Sequence, residues 1–199
     1  MEHLYGNLLL FYSDGGAAFI EYSHTLVHSI LIRTIEVVLF AAIIIHVVQA
    51  IYLTKQNSDA RPIKYAMHKT NETSSWFSRN MGITGSVILF FIVVHIKHFF
   101  FPYRISDTVG AEGQMNVAQM VKEGFESGWY VSLYVVSCLF LAFHLNHGFQ
   151  SAFRSLGLNN KKYHKLISMA GSFFAYVIVF LGFSSIPILF YFGIAGNTF

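Results

Sequence analysis

Polar and apolar residues do not alternate along this chain; they segregate into long blocks. Between Glu36 and Lys55 lies VVLFAAIIIHVVQAIYLT, without a formal charge, and the helical pattern extends back towards His28. Between Arg79 and Lys97 runs NMGITGSVILFFIVVHI, continuing to Phe101 and stopped by Pro102. Between Glu126 and Arg154 stands a charge-free run containing WYVSLYVVSCLFLAFHLNHGF. After Lys165 no charged residue occurs, and LISMAGSFFAYVIVFLGFSSIPILFYF is long enough to cross a bilayer with residues to spare. A helix crossing the hydrocarbon core needs roughly 20 apolar residues, so these blocks predict four complete transmembrane helices. The opening MEHLYGNLLLFYS is apolar but too short to cross before Asp14. It lacks the basic start and cleavage site of a signal peptide, and it reads as the last half of a first helix whose beginning is absent. The expected fold is all-α: a transmembrane bundle of five helices, the first only partly present. It forms one domain over 1–199, with helices at 1–12 (partial), 27–55, 77–101, 128–156 and 165–193.

Composition agrees with this pattern. Of 199 residues, 54% are hydrophobic and only 12% charged, about half the charge content of a soluble domain; mean hydropathy is +0.51. One cysteine, Cys138, sits inside an apolar run and excludes a disulfide framework. It reads as a small apolar packing residue. The net charge of +3 matters less than where the charges fall. Nothing points to nucleic acid, because the basic residues lie in short connections and not along one face.

The Lys and Arg residues set the orientation. Lys55, Arg61, Lys64, Lys69 and Arg79 lie on one connection, and Arg154, Lys161, Lys162 and Lys165 on another. The remaining connections carry Asp14, Glu21, Asp107, Glu112, Glu123 and Glu126 against Arg104 and Lys122. By the positive-inside rule the two basic connections are cytoplasmic. The expected location is a bacterial inner (cytoplasmic) membrane, crossed several times.

Four histidines lie within the apolar segments: His3, His46, His95 and His144. An ionisable residue at membrane depth is costly and suggests function, and imidazole is a common axial ligand of haem iron. With 1.5 Å rise per residue, sequence position becomes depth. His46 lies nine residues before Lys55 and His144 ten before Arg154, which places both in the inner half. His95 is sixteen residues beyond Arg79 and nine before Arg104, in the outer half, where His3 matches it. The depths sort the four into an inner pair, His46 with His144, and an outer pair, His95 with His3.

Each histidine alone is open to other readings: a hydrogen-bonding packing residue, a proton relay or a metal ligand. Together, at paired depths, they point to two haem b groups, each held by two histidines. His98 and His147, three residues after His95 and His144, are rotated about 60° from the ligand direction. His24, His28, His68 and His164 lie at helix ends or in connections, where solvated or proton-handling roles fit. A zinc site is disfavoured, since no segments offer close His/Cys/carboxylate clusters. Arg33 and Glu36, three residues apart on helix II, form either a mutual ion pair or a site in which Arg33 meets a haem propionate. Lys97 is placed to snorkel.

The residues resemble a known family: the di-haem cytochrome b membrane anchor of succinate:quinone oxidoreductases and quinol:fumarate reductases, in its single-polypeptide, five-helix form. The resemblance rests on His3-Leu-Tyr-Gly-Asn7, and on His46 within IIIHVVQAIYL. It continues with Thr84-Gly85 ten residues before His95, and with His144-Leu-Asn-His-Gly148 followed by Gly157. It covers essentially the whole chain. The resemblance implies that His144 and not His147 is the helix IV ligand, and that the first ligand pairs with the third and the second with the fourth. Gly148 leaves room for a porphyrin edge. The resemblance also implies an FAD-containing flavoprotein subunit and an iron–sulfur subunit as partners, and a quinone, menaquinone, as redox partner in the lipid. The chain has no FAD fingerprint and no cysteine cluster, so succinate oxidation or fumarate reduction belongs to the partners. Segment Ala60–Arg79 and the run NNKKYHK are the expected docking surface for them. Quinol oxidation releases protons, and Glu21, with His24 and His28 within two turns, is the expected proton-handling residue of a quinone site. Two alternatives remain: the cytochrome b subunit of another respiratory dehydrogenase, and a haem-free transporter or proton channel with histidines as relays.

Overall fold

The structure, a computed structural model, describes residues 1–60, 76–104, 116–158 and 160–194. Lys64, His68 and Lys69 of one connection, and Asp107 and Glu112 of another, lie outside the described residues. Among the described residues every regular element is helical and there is no strand.

Helix α1 (Glu2–Leu8) passes into a single tight turn, Leu9–Phe11. Helix α2 (Ala17–His28) is opened by Asp14, whose carboxylate accepts from the backbone N–H of Gly16 and of Ala18, both at 2.9 Å. Gly16 precedes α2 with φ +81°, a left-handed conformation that favours glycine. Helix α3 (Ile30–Asp59) follows after Ser29 alone. Helix α4 (Met81–Arg104) is α-helical to His95, widens into a π turn over Ile96–Phe100 and closes with Phe101–Arg104. Helix α5 (Val117–Gly124) precedes α6 (Gly128–Ser155), and α7 (Lys162–Tyr191) carries a second π segment at Phe173–Leu181. Two of these, α2 and α5, lie within stretches that the sequence reading treats as connections.

Among the described residues four helices, α3, α4, α6 and α7, are long and apolar enough to cross a membrane. At 1.5 Å per residue, the 30 residues of α3 extend about 45 Å. No residue of α3 is buried in the protein, although its surface is Leu, Ile, Val and Ala on every side. In water that surface would be costly; in lipid it is the ordinary exterior.

The buried core sits at one end of the molecule, called here the α2 end. There Leu4, Leu10, Phe19, Val121, Phe125 and Phe190 bring α1, α2 and α5 against the ends of α6 and α7. Helix α5 contributes Val117, Ala118, Met120 and Val121, spaced to make one buried stripe. At the opposite end, which carries Lys55 and Arg154, α6 and α7 meet through a polar bridge. Asn146 Oδ1 accepts from Gln150 Nε2 at 3.1 Å and from Ser172 Oγ at 3.2 Å, while its amide donates to Tyr176 Oη at 3.3 Å. Such side-chain hydrogen bonds join helices where lipid offers no other partner. Gly171 makes the approach possible: a Cβ there would stand 2.6 Å from Phe149 Cδ1. Gly157, at φ +72°, ends α6, with Leu158 N–H bonded to Phe153 O and Gly157 N–H to Arg154 O.

Candidate functional site

Two pairs of histidines face each other, one pair in each half of the helical assembly. His46 of α3 and His144 of α6 have ring centres 6.1 Å apart, with planes at 86°. His3 of α1 and His95 of α4 have ring centres 5.8 Å apart, with planes at 68°. An ion between two imidazole nitrogens, each about 2 Å away, holds the ring centres about 6 Å apart. These partners are the pairs that the depth arithmetic selects. His98 points elsewhere: its Nδ1 lies 2.6 Å from Tyr130 Oη, and its ring stacks on Phe99 at 4.7 Å.

Neighbouring hydroxyls orient one ring of each pair. Thr84 Oγ1, fully buried, lies 3.0 Å from Met81 O and 3.3 Å from His144 Nδ1. A hydroxyl has one proton to donate. Given to the Met81 carbonyl, it leaves the Thr84 oxygen to accept from His144 Nδ1–H. That tautomer puts the lone pair on His144 Nε2, the nitrogen free to bind a metal. On the other pair, His95 Nδ1 lies 2.9 Å from Tyr134 Oη, and Tyr134 Oη lies 3.3 Å from Tyr130 Oη. With the contact from Tyr130 to His98, this makes a continuous His–Tyr–Tyr–His chain. His95 is further enclosed by Phe91 at 5.7 Å and Phe99 at 5.5 Å.

Space accompanies both pairs. At the α2 end a cavity of about 410 Å³ is lined by His3 and His95 among apolar side chains that include Phe91, Phe99, Leu141 and Phe183. Tyr134 and Cys138 also line it. At the other pair, nothing lies within 4 Å of where a Cβ on Gly148 would stand, and a Cβ on Gly85 would rest 3.7 Å from His144 Cε1. Helix α3 stands off from the bundle there and reaches it through few side chains, among them Phe40 against Phe100 at 5.4 Å and His46 against His144.

The donor set suits a metal that brings most of its own ligands. Among the described residues no group of three or more His, Cys, Asp or Glu converges on one point. A bare ion would find only two protein ligands at either pair. A porphyrin iron needs no more than two axial ones, and open space accompanies each pair.

Arg33 and Glu36 form an ion pair at 3.4 Å, the first of the two readings given for them, and Arg104 joins it, 3.5 Å from Glu36. Glu21 is exposed on α2, and its carbonyl accepts from Thr25 Oγ1. It is not among the residues lining the cavity; Tyr22, Ser23 and Leu26, on the opposite face of α2, are. Glu2 lines the cavity instead, accepting from Tyr22 Oη at 2.6 Å. Burial, followed by this bond to Glu2, pushes the Tyr22 phenol up to about 12, so it remains a donor at neutral pH. Sequence reasoning misses Tyr134 as the partner of His95. The available signal was spacing, since Tyr130, Tyr134, Cys138 and Ala142 recur every fourth residue on one buried stripe of α6.

Comparison with protein-family models, with curated proteins and with solved structures gives no match.

Proposed function

We propose that this chain is a membrane-embedded di-haem cytochrome b, the anchor and electron carrier of a succinate:quinone oxidoreductase or quinol:fumarate reductase. One observation carries the reading: two pairs of histidines, one in each half of the assembly, with ring centres 6.1 Å and 5.8 Å apart. In this reading α1 is the fifth member of the bundle, and the ends bearing Lys55 and Arg154 face the cytoplasm. His46 and His144 hold the inner haem b, and His3 and His95 the outer one.

When bound, haem iron supplies reversible one-electron exchange. The chain's own residues do the rest. Thr84 fixes the rotation and tautomer of His144, and Tyr134 fixes the rotation of His95. Phe91, Phe99 and Phe183 exclude water from the outer pair, and Gly148 leaves room beside the inner one. The two sites, at different depths, make a path across the lipid between a quinone, menaquinone, and peripheral FAD-containing flavoprotein and iron–sulfur subunits. Glu21, on the solvent side of the helix whose other face lines the cavity, is placed to take protons released there by a quinol. Lys162 and its neighbours on the basic connection offer the docking charge for the soluble subunits.

A second reading is favoured by a specific observation. The His95–Tyr134–Tyr130–His98 chain is a continuous hydrogen-bonded path, which a haem-free proton channel would also use. Purification of the complex from native membranes, with a reduced-minus-oxidised spectrum and identification of co-purifying subunits, separates the readings. Haem b bands with a flavoprotein and an iron–sulfur protein are the expected result. Haem bands with different redox subunits would assign the chain to another respiratory dehydrogenase. A spectrum without haem would leave the channel reading.

A further inference from the structure

Arg104 is the most deeply placed arginine of the described residues at the α2 end, with 11% of its side chain exposed. Its Nη1 donates to Val27 O at 3.0 Å, and its Nη2 meets Glu36 Oε2 at 3.5 Å. Its Nε is buried and has no hydrogen-bond partner. Glu36 is shared: its other oxygen lies 3.4 Å from Arg33 Nη1. Charge-assisted hydrogen bonds usually close to about 2.7–2.9 Å, so both arginines hold Glu36 loosely. Among the described residues, two guanidinium groups stand against one carboxylate, which leaves the cluster with a net positive charge. The N-terminus of α3, at Ile30, adds its own partial positive charge nearby.

A buried guanidinium with an idle N–H and only a loosely held counter-charge is costly unless an anion completes it. The idle Nε and the loosely used Nη2 together form the side-on fork that takes a carboxylate or phosphate through two parallel bonds. The place is also suitable. Phe100 and Tyr103, just before Arg104, line the cavity, as does Leu26, just before its partner Val27. Arg104 directly follows the lining residue Tyr103 without lining the cavity itself, while Arg33 is 52% exposed.

We propose that Arg104, with Arg33 and the bridging Glu36, forms a binding site for one oxyanion at the α2 end of α3 and α4. The chemistry is a single carboxylate or phosphate, supplied either by a propionate of the outer haem or by the phosphate of an anionic phospholipid. The propionate source rests on the di-haem reading; the phospholipid source does not.

The test uses the full chain, purified in detergent, as wild type, Arg104→Gln and Glu36→Gln. One arm delipidates the protein, adds palmitoyl-oleoyl phosphatidylglycerol or phosphatidylcholine, and reads retained lipid by native mass spectrometry. The other records infrared redox-difference spectra with haem labelled at the propionate carboxyls. Arg104→Gln should lose the retained phosphatidylglycerol, or shift the labelled carboxylate bands. Glu36→Gln removes the competing anion and should raise lipid retention, or strengthen the propionate signal. Opposite responses of the two variants are not expected of a merely structural cluster, whose loss would harm both alike. If Arg104→Gln does not assemble, Glu36→Gln decides alone, and unchanged or reduced binding overturns the proposal. Wild-type protein without haem removes the propionate source and the di-haem reading together, and the lipid arm then decides the oxyanion site. Haem-loaded protein whose lipid retention and carboxylate bands ignore both variants overturns the oxyanion site and leaves the di-haem reading standing.

Discussion

His46 and His144 present their imidazole rings to each other across 6.1 Å with planes nearly perpendicular, at 86°. Two imidazoles on one ferric haem with crossed planes keep the iron d orbitals close in energy, which gives a highly anisotropic low-spin signal. Parallel planes give a rhombic one. The His3–His95 planes are also steeply inclined, at 68°. Electron paramagnetic resonance of the oxidised protein should therefore show highly anisotropic low-spin signals. Two rhombic signals would mean that the rings are rotated from the arrangement described.

Thr84→Val tests the inner site from behind. The substitution keeps the shape of a fully buried side chain and removes the oxygen that lies 3.3 Å from His144 Nδ1. Partners of this kind typically contribute 10- to 100-fold in metal affinity. Haem retention at the inner site should fall within about that range while the outer haem is unchanged. Full retention of both would mean that Thr84 does not orient the ring.

Gly148→Leu separates room for a cofactor from room for packing. Nothing lies within 4 Å of its missing Cβ, and glycine in a helix interior is about 1 kcal/mol less favourable than alanine. Within the protein alone the larger residue should be harmless to helix α6. The inner haem should nonetheless be lost, because the side chain fills the space beside His144. An inner haem that binds unchanged in Gly148→Leu would show that the porphyrin lies elsewhere.

Much of this was legible in the sequence, for physical reasons particular to apolar helices. Charge-free blocks between Glu36 and Lys55, or after Lys165, must be helical in lipid because no other local structure satisfies the backbone. Axial rise then turns residue number into depth, which is why His46 could be matched with His144 before any contact was known. What the sequence hides is azimuth. Arg104 meets Val27 and Glu36 across 77 and 68 residues, and Tyr134 meets His95 across 39; no periodicity encodes such pairings. Helix α5 is hidden for a different reason: the charges Lys122 and Glu123 mark a connection, and they mask the buried stripe of Val117, Met120 and Val121.

Glu21→Gln probes proton handling at the α2 end. Glu21 lies on the exposed side of α2, while Tyr22, Ser23 and Leu26 of the same helix line the cavity. Neutralising it should block turnover with a quinol while leaving both haem spectra and the soluble subunits' activity with an artificial dye intact. Full quinol turnover would remove Glu21 and direct attention to Glu2, which lines the cavity beside Tyr22.

The central claim is that each histidine pair holds one haem. Counting haem b per chain by the pyridine haemochrome method tests it directly, in wild type and in two double variants, His46→Ala with His144→Ala and His3→Ala with His95→Ala. The account predicts two haems in the wild type and one in each double variant, a different one in each case. A wild type without haem, or a double variant that keeps both, would contradict it.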